Sequence, residues 1–159
     1  DQGGAFEVQT ALAGEGLSGG VLRQVISKCP VAWVSNSDPF TIVGSVDWAD
    51  YAVAVSASLL GPVDPAVPAA GCGGPNGTGA AYVSVCGRVM GWSGFDGHPV
   101  EGYCLRVSDD GRWTLSAPWP RLLASGVLPK SQGPLHLGLV FSGPTVEASV
   151  GGRVVAWAS

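Results

Sequence analysis

The chain has 159 residues, of which 13% are charged and 46% are hydrophobic, a size and balance that suit one folded domain and exclude disorder. Its net charge of −4, from eight Lys and Arg against twelve Asp and Glu, argues against a nucleic-acid partner and a polybasic membrane anchor. The apolar stretches are interrupted too often by Ser, Gly and Pro for a membrane span, so we expect a single domain over residues 1–159.

Apolar side chains recur at every second position along most of the chain, which is the period of a β-strand with one buried face. One helical turn is predicted over 120–125, where Arg121-Leu122-Leu123-Ala124 has fair helix propensity. Short strands joined by polar turns are typical of an antiparallel β-sandwich. In chain order the predicted strands cover 5–10, 21–25, 41–45, 51–57, 80–90, 103–109, 112–116, 135–141, 145–150 and 153–158.

Three turn sequences support the antiparallel arrangement. Asp110-Gly111 lies between two predicted strands and is the sequence of a tight type I′ hairpin. Gly151-Gly152 joins the last two strands in the same manner, and Ser142-Gly143-Pro144 predicts the turn before them. Two longer loops, rich in Pro and Gly, are expected over 61–79 and 117–133.

The four cysteines show no CxxC or CxxH spacing, which argues against a structural zinc site. We therefore expect two disulfides in an oxidising compartment, with four buried free thiols as the alternative. Of the three pairings, Cys86–Cys104 with Cys29–Cys72 is favoured because Cys86 and Cys104 lie in segments that could pair as strands.

Asn76-Gly77-Thr78 is an N-glycosylation sequon. Because the chain opens with Asp1 rather than Met, we also expect a processed product or part of a longer secreted or extracellular protein.

The sequence offers no side-chain constellation for catalysis. The Gly-rich run over 71–79 leads into a strand and contains no Lys, so a surface loop is favoured over a phosphate cradle. Asp47 with Asp50, and Asp109 with Asp110, lie in loop and turn contexts where Asp is common. No Gly-x-Ser-x-Gly elbow occurs. We expect this chain on its own to be non-catalytic.

Six tryptophans are the one compositional excess that points to a binding function. An indole can stack on the apolar face of a pyranose and donate its N–H to a hydroxyl. The alternative is that all six pack in the core or anchor loops. The predicted core residues, in or beside strands, are Trp33, Trp48, Trp113 and Trp157. The predicted exposed sugar-binding residues are Trp92 and Trp119, with Asp96 and Arg121 as polar neighbours.

Several blocks of the first third of the chain resemble the C-terminal lectin-like domain of galactocerebrosidase in order and spacing. They are Asp1-Gln2-Gly3-Gly4-Ala5-Phe6-Glu7-Val8, Leu22-Arg23-Gln24-Val25, Pro30-Val31-Ala32-Trp33, Ile42-Val43-Gly44 and Trp48-Ala49-Asp50-Tyr51. Looser similarity continues through Gly87-Arg88-Val89 to the final Gly152-Arg153 hairpin. The resemblance implies a concanavalin A-like jelly roll attached to a catalytic barrel that removes galactose from galactosylceramide. The catalytic glutamates of that family would then lie outside this chain.

The resemblance also implies a calcium ion in the complete domain. It places the side-chain ligands before Asp1 and after Ser159, and one backbone carbonyl ligand near Gly20. It further implies that the first and last strands of the jelly roll are missing from the chain, so we expect partner strands or other parent domains at the sandwich edge. Two functions follow as hypotheses: a glycan- or glycolipid-binding module of a secreted or lysosomal galactosidase, and a structural or adhesive jelly roll of an extracellular glycoprotein assembly.

Overall fold

A computed structural model describes residues 2–3, 6–12, 16–24, 40–59, 82–92, 99–118, 121–129 and 133–159. All regular structure in these residues is antiparallel β-sheet, which confirms the predicted fold class. These residues also contain no helix that could cross a membrane. The strands are β1 (Gln2–Gly3), β2 (Phe6–Thr10), β3 (Gly20–Gln24), β4 (Phe40–Thr41), β5 (Tyr51–Ala57), β6 (Tyr82–Trp92), β7 (Pro99–Ser108), β8 (Arg112–Ser116), β9 (Leu122–Val127), β10 (Leu135–Ser142), β11 (Thr145–Val150) and β12 (Arg153–Ala158).

Two four-stranded sheets form the body of the domain. Sheet I has the strand order β12-β11-β10-β5, and sheet II has the order β6-β7-β8-β9. Alternate side chains of both sheets point into one hydrophobic core, as the period of two requires. The most deeply buried are Leu105, Val107 and Leu115 from sheet II and Leu137, Leu139, Phe141 and Val146 from sheet I. Two further antiparallel pairs, β1–β4 and β2–β3, lie outside these sheets.

The turns confirm the predicted hairpins but correct one turn type. Gly151 and Gly152 have φ of 59° and 75°, as a two-residue type I′ turn requires. Between β7 and β8, however, only Gly111 has a positive φ, and its N–H donates to the carbonyl of Ser108 at 2.9 Å. The connection is therefore a three-residue loop whose last residue is left-handed, so the type I′ prediction for Asp110-Gly111 was wrong.

Two local predictions are wrong for reasons of tertiary pairing. The segment predicted as a helical turn over 120–125 enters β9, because Leu122–Val127 pairs with β8. Non-local pairing of this kind overrides the modest helix propensity of Leu and Ala. The strand predicted over 41–45 ends at Thr41 as part of β4, and a turn follows at Ser45–Trp48.

One predicted disulfide is confirmed. Cys86 of β6 and Cys104 of β7 lie directly opposite each other and are bonded. The bond lies on the outward side of sheet II, because the neighbouring Val85 and Leu105 point into the core. Cys29 and Cys72, predicted as the second pair, lie outside the described residues.

Candidate functional site

An open pocket of about 500 Å³ lies at one end of the sandwich. It forms where the loop before β5, an irregular part of β6 and the turn between β10 and β11 come together. Concave sites that combine apolar walls with a few polar groups are typical of ligand pockets. The lining residues are Val46, Asp47, Trp48, Ala49, Arg88, Met90 and Gly143.

A tight turn before β5 presents two of these residues. The backbone N–H of Trp48 donates to the carbonyl of Ser45 at 3.2 Å. The Ser45 hydroxyl accepts from the Asp47 N–H at 3.3 Å and donates to the Asp47 carboxylate at 3.2 Å. Ser is favoured in such turns because its side chain can bond the local backbone. The turn therefore fixes the position of the Asp47 carboxylate beside Trp48.

The Trp48 indole packs against the protein on one side and is exposed on the rest. Gly44 has φ of 103°, and a Cβ there would lie 2.7 Å from the Trp48 ring, so glycine is needed for this close approach. The indole meets the Tyr51 ring edge-on, with 5.8 Å between the ring centroids. Even so, Trp48 is 54% exposed. The indole is thus held in place while much of its surface faces solvent.

The irregular part of β6 is a bulge at Arg88. The pairing register with β7 shifts between Gly87 and Gly91, and Arg88 has φ of 54°, which is rare for a residue with a side chain. Two glycines make room for this conformation. A Cβ on Gly87 would overlap the Phe141 ring, and one on Gly102 would lie 2.9 Å from Val89. The backbone N–H of Arg88 donates to the Tyr51 hydroxyl.

The Arg88 side chain joins the loop before β5 to the turn between β10 and β11. Its Nη2 donates to the carbonyl oxygens of Ala49 at 2.9 Å and Gly143 at 2.6 Å. Asp50 completes the cluster, because its Oδ1 accepts from the Gly143 N–H at 2.7 Å and lies 3.7 Å from Arg88 Nη2. The guanidinium carbon also lies 5.0 Å from the centroid of the Phe141 ring. Arg88 therefore joins the β6 bulge of sheet II to the loop and the turn at one end of sheet I.

The remaining pocket surface combines apolar contact area with one carboxylate that is available to a ligand. Val46 and Met90 are largely exposed, as is the Trp48 indole between them. The Asp47 carboxylate can accept hydrogen bonds, whereas Nε and Nη2 of Arg88 are already directed at backbone carbonyls. Such a surface suits a neutral ligand with an apolar face and hydroxyl donors, which is the chemistry of a hexose.

The comparison with known proteins identifies the type of domain for the first half of the chain. Residues 1–79 match the family model described as galactocerebrosidase, C-terminal lectin domain. This stretch is similar to that lectin domain. The match confirms the resemblance seen in the sequence, and it includes Trp48 and the turn that holds it. No curated protein and no solved structure gives a significant match.

The sugar-binding residues predicted from the sequence are only partly within the described residues. Arg121 lies just before β9 with an exposed side chain, and its backbone bonds to Ala117 and Pro118 close the local turn. Trp92 is the last residue of β6, where its backbone pairs with Pro99. Trp119, Asp96 and the sequon residue Asn76 lie outside the described residues. Of the four predicted residues, Arg121 is the one with a described side chain, so their grouping as one site stays a prediction.

Two of the tryptophans expected in the core lie at the surface instead. Trp113 is buried as predicted, against Gly126 of β9. Trp48 is half exposed and Trp157 is 75% exposed, so the core expectation was wrong for both. Trp157 lies on the outward side of an edge strand of sheet I, opposite Glu147. Trp33 lies outside the described residues.

The calcium ligand that the galactocerebrosidase resemblance implies was also placed near a described residue. Gly20 is the first residue of β3 and pairs with Thr10. The described residues bring together no group of three or more His, Cys, Asp or Glu side chains, so they do not themselves supply the oxygen-rich ligand set of calcium. The role of the Gly20 carbonyl stays a prediction for the complete domain.

Proposed function

We propose that this domain is a non-catalytic module that binds galactose-bearing glycans or glycolipids through the pocket at Trp48. The observation that carries the proposal is the exposed Trp48 indole at that pocket, within the part of the chain that matches the galactocerebrosidase lectin domain. In this proposal the domain helps to orient a substrate, while the chemistry takes place in another domain of the parent protein.

The bound sugar would place its apolar face on the indole. Galactose presents a continuous patch of C–H groups on one face of the ring, and stacking on Trp uses that patch. Asp47 would accept hydrogen bonds from sugar hydroxyls, because the turn at Ser45 holds its carboxylate beside the indole. Val46 and Met90 would extend the apolar contact at the rim.

The residues predicted from the sequence extend this proposal along β6. Met90 lines the pocket, and Trp92 follows it by two positions on the same strand. A ligand longer than one sugar would extend from Trp48 past Met90, and Trp92 stays a predicted contact for it. Trp119, Asp96 and Arg121 stay predicted members of the extended site.

A secreted, extracellular or lysosomal location is part of the same proposal. The Cys86–Cys104 bond supports it, because structural disulfides persist in oxidising compartments. Glycosylation of Asn76 would add to that support. Digestion of the natural protein with an N-glycosidase, followed by mass measurement of the Asn76 peptide, tests this part separately.

The binding proposal is tested by titrating the protein with methyl β-galactoside and measuring the dissociation constant by NMR. We expect the parent protein to bind in the millimolar range, and Trp48→Ala to weaken binding by about tenfold. Val43→Ala is the matched control, because Val43 lies on the same loop, is 83% exposed and does not line the pocket.

Two outcomes would overturn the proposal. One is a parent protein that gives no saturable shift with the galactoside, and the other is a folded Trp48→Ala protein that binds as the parent does. If Trp48→Ala does not fold, Asp47→Asn replaces it, because Asp47 is exposed and its loss of charge leaves the turn sterically unchanged.

A further inference from the structure

A second surface with binding chemistry lies on the outward face of sheet I, away from the pocket. Three large apolar side chains are exposed there: Val140 (44%), Val154 (52%) and Trp157 (75%). Soluble domains show single exposed apolar residues at many places, but an exposed indole on a sheet face is unusual. Its neighbours on the sheet therefore decide what the face can bind.

The strand register places these neighbours in two adjacent rows. In the first row Glu147 lies between Val140 and Trp157, since it pairs with both. In the second row Gly138 pairs with Ala54 and Ser149, and Ser149 pairs with Val154. Adjacent strands are about 4.8 Å apart, so the small residues of the second row form a low floor beside the indole and the carboxylate.

Polar groups continue beyond this floor. Ser56 of β5 and His136 of β10 are paired across the strands, and the serine hydroxyl lies 2.8 Å from His136 Nδ1. The outward positions of β5, β10, β11 and β12 are residues 52, 54, 56, 136, 138, 140, 142, 145, 147, 149, 154 and 157. Glu147 supplies the single carboxylate among these positions, and none of them is Lys or Arg. The face is nearly neutral and offers hydrogen-bond acceptors next to an aromatic ring.

From this arrangement we infer that the outward face of sheet I is a second carbohydrate-binding surface, specific for neutral oligosaccharides. One sugar ring stacks on Trp157 and donates hydroxyl hydrogen bonds to Glu147. The following rings lie over the Ala54, Gly138 and Ser149 floor, where short side chains let them approach the sheet. The inference does not depend on the Trp48 pocket.

The same features argue against a protein as the occupant. Protein interfaces of ordinary size bury about 800 Å² on each partner, with several large apolar anchors and few acidic residues at the centre. Here one indole stands among Ala, Gly and Ser, and Glu147 lies directly beside it. A protein partner would have to supply a cation to that carboxylate at its centre, because the outward positions of this face contain no Lys or Arg. Sugar hydroxyls satisfy it directly.

The test follows the indole N–H signal of Trp157 by NMR during titration of the folded chain with neutral tetrasaccharides, cellotetraose and β-1,4-galactotetraose. Trp157→Phe identifies the signal, because this change removes it. We expect the Trp157 signal to shift with at least one of the two sugars. Trp157→Ala should weaken that binding by about tenfold and Glu147→Gln by about threefold. A charged analogue, tetragalacturonic acid, should bind more weakly because Glu147 repels its carboxylates.

Val127→Ala is the matched control, since Val127 is 72% exposed on an edge strand of sheet II and should leave binding unchanged. The inference is overturned if neither tetrasaccharide shifts the Trp157 signal, or if a folded Trp157→Ala protein binds as the parent does. It is also overturned if sedimentation shows a dimer that Trp157→Ala dissociates, since the face would then be covered by a second copy of the chain. The variants at Trp48 and at Trp157 report on different sites, so failure at one leaves the other test valid.

Discussion

Sheets I and II share one core but differ in how their outward faces are used. On sheet II the outward positions of β6 and β7 are partly buried and joined to each other, by the Cys86–Cys104 bond and by Arg106, whose guanidinium lies 4.0 Å from the centroid of the Tyr82 ring. The edge strand β9 of the same sheet exposes Leu122 and Val127. On sheet I the outward positions carry short side chains and the exposed Trp157. Side-chain contacts therefore cover the outward side of β6 and β7 in sheet II, whereas the outward face of sheet I is accessible to a ligand next to Trp157.

This difference shows which structural features can be predicted from alternation in a sequence and which cannot. A period of two indicates which side chains share a face of a strand, and this prediction is equally good for both sheets. The period does not indicate where the outward face is covered by side-chain contacts and where it is exposed to solvent. That depends on pairs such as Cys86 with Cys104 or Glu147 with Trp157, which exist only once the register is set.

The largest expected effect tests whether the two sheets depend equally on the shared core. Leu105 of sheet II and Leu139 of sheet I are both completely buried. Leu105→Ala and Leu139→Ala should each lower the free energy of unfolding by about 3 kcal/mol, because each leaves a cavity between the sheets. Urea denaturation measures both. A loss below about 1 kcal/mol for either would mean that its sheet packs loosely on the other.

The next effect should belong to sheet II alone. Cys86→Ala combined with Cys104→Ala should lower the free energy of unfolding by about 2–3 kcal/mol, because the bond restricts the unfolded chain across a separation of 18 residues. Thermal unfolding of the parent with and without dithiothreitol, beside the double variant, gives the measurement. If dithiothreitol lowers the melting temperature of the double variant as much as that of the parent, the loss of stability comes from a different disulfide.

A smaller effect concerns Arg88, which ties the loop before β5 to the turn between β10 and β11. Arg88→Lys keeps the charge but loses the planar fork that reaches Ala49 and Gly143, so we expect a loss of about 1–2 kcal/mol. Arg112→Lys is the control, because that side chain is 77% exposed and its pair with Asp110 lies at the surface. Equal losses of stability in both variants would contradict the role of Arg88 in joining the loop before β5 to the turn between β10 and β11.

The smallest expected effect separates the open face from the core. Trp157→Ala should change the free energy of unfolding by no more than about 0.5 kcal/mol, as is usual for an exposed side chain. Trp113→Ala, which removes a buried indole from sheet II, should cost about 3 kcal/mol. Chemical denaturation of the pair measures this contrast, and a Trp157→Ala loss of similar size to that of Trp113→Ala would show that the face is covered.

Much of the fold could be predicted because its signals are local. The alternation in 145–150, the strand over 153–158 and the Gly151-Gly152 turn are read from neighbouring residues, and the structure confirms them. The helical turn predicted over 120–125 failed because β9 exists through its pairing with β8. A single segment does not contain that information.

The candidate site was missed for a similar reason. Trp48 was assigned to the core because it lies next to a strand, and its exposure depends on a turn at Ser45 and on the small size of Gly44. The Arg88 bulge needs glycine at 87 and at 102, two positions that are unremarkable in a chain with 25 glycines. The family resemblance pointed to both segments without indicating their geometry.

The pairing of β5 with β10 has a consequence for folding kinetics. The strands from β6 to β9 and from β10 to β12 are each joined to the next along the chain, so their contacts close short loops. β5 differs, because Ser56 and its hydrogen-bonded neighbour His136 are 80 residues apart. Closing so long a loop costs entropy before its contacts are gained. We therefore expect the two meanders to form early and β5 to join late, so substitutions in β5 should mainly speed unfolding, whereas those in the hairpins should slow folding.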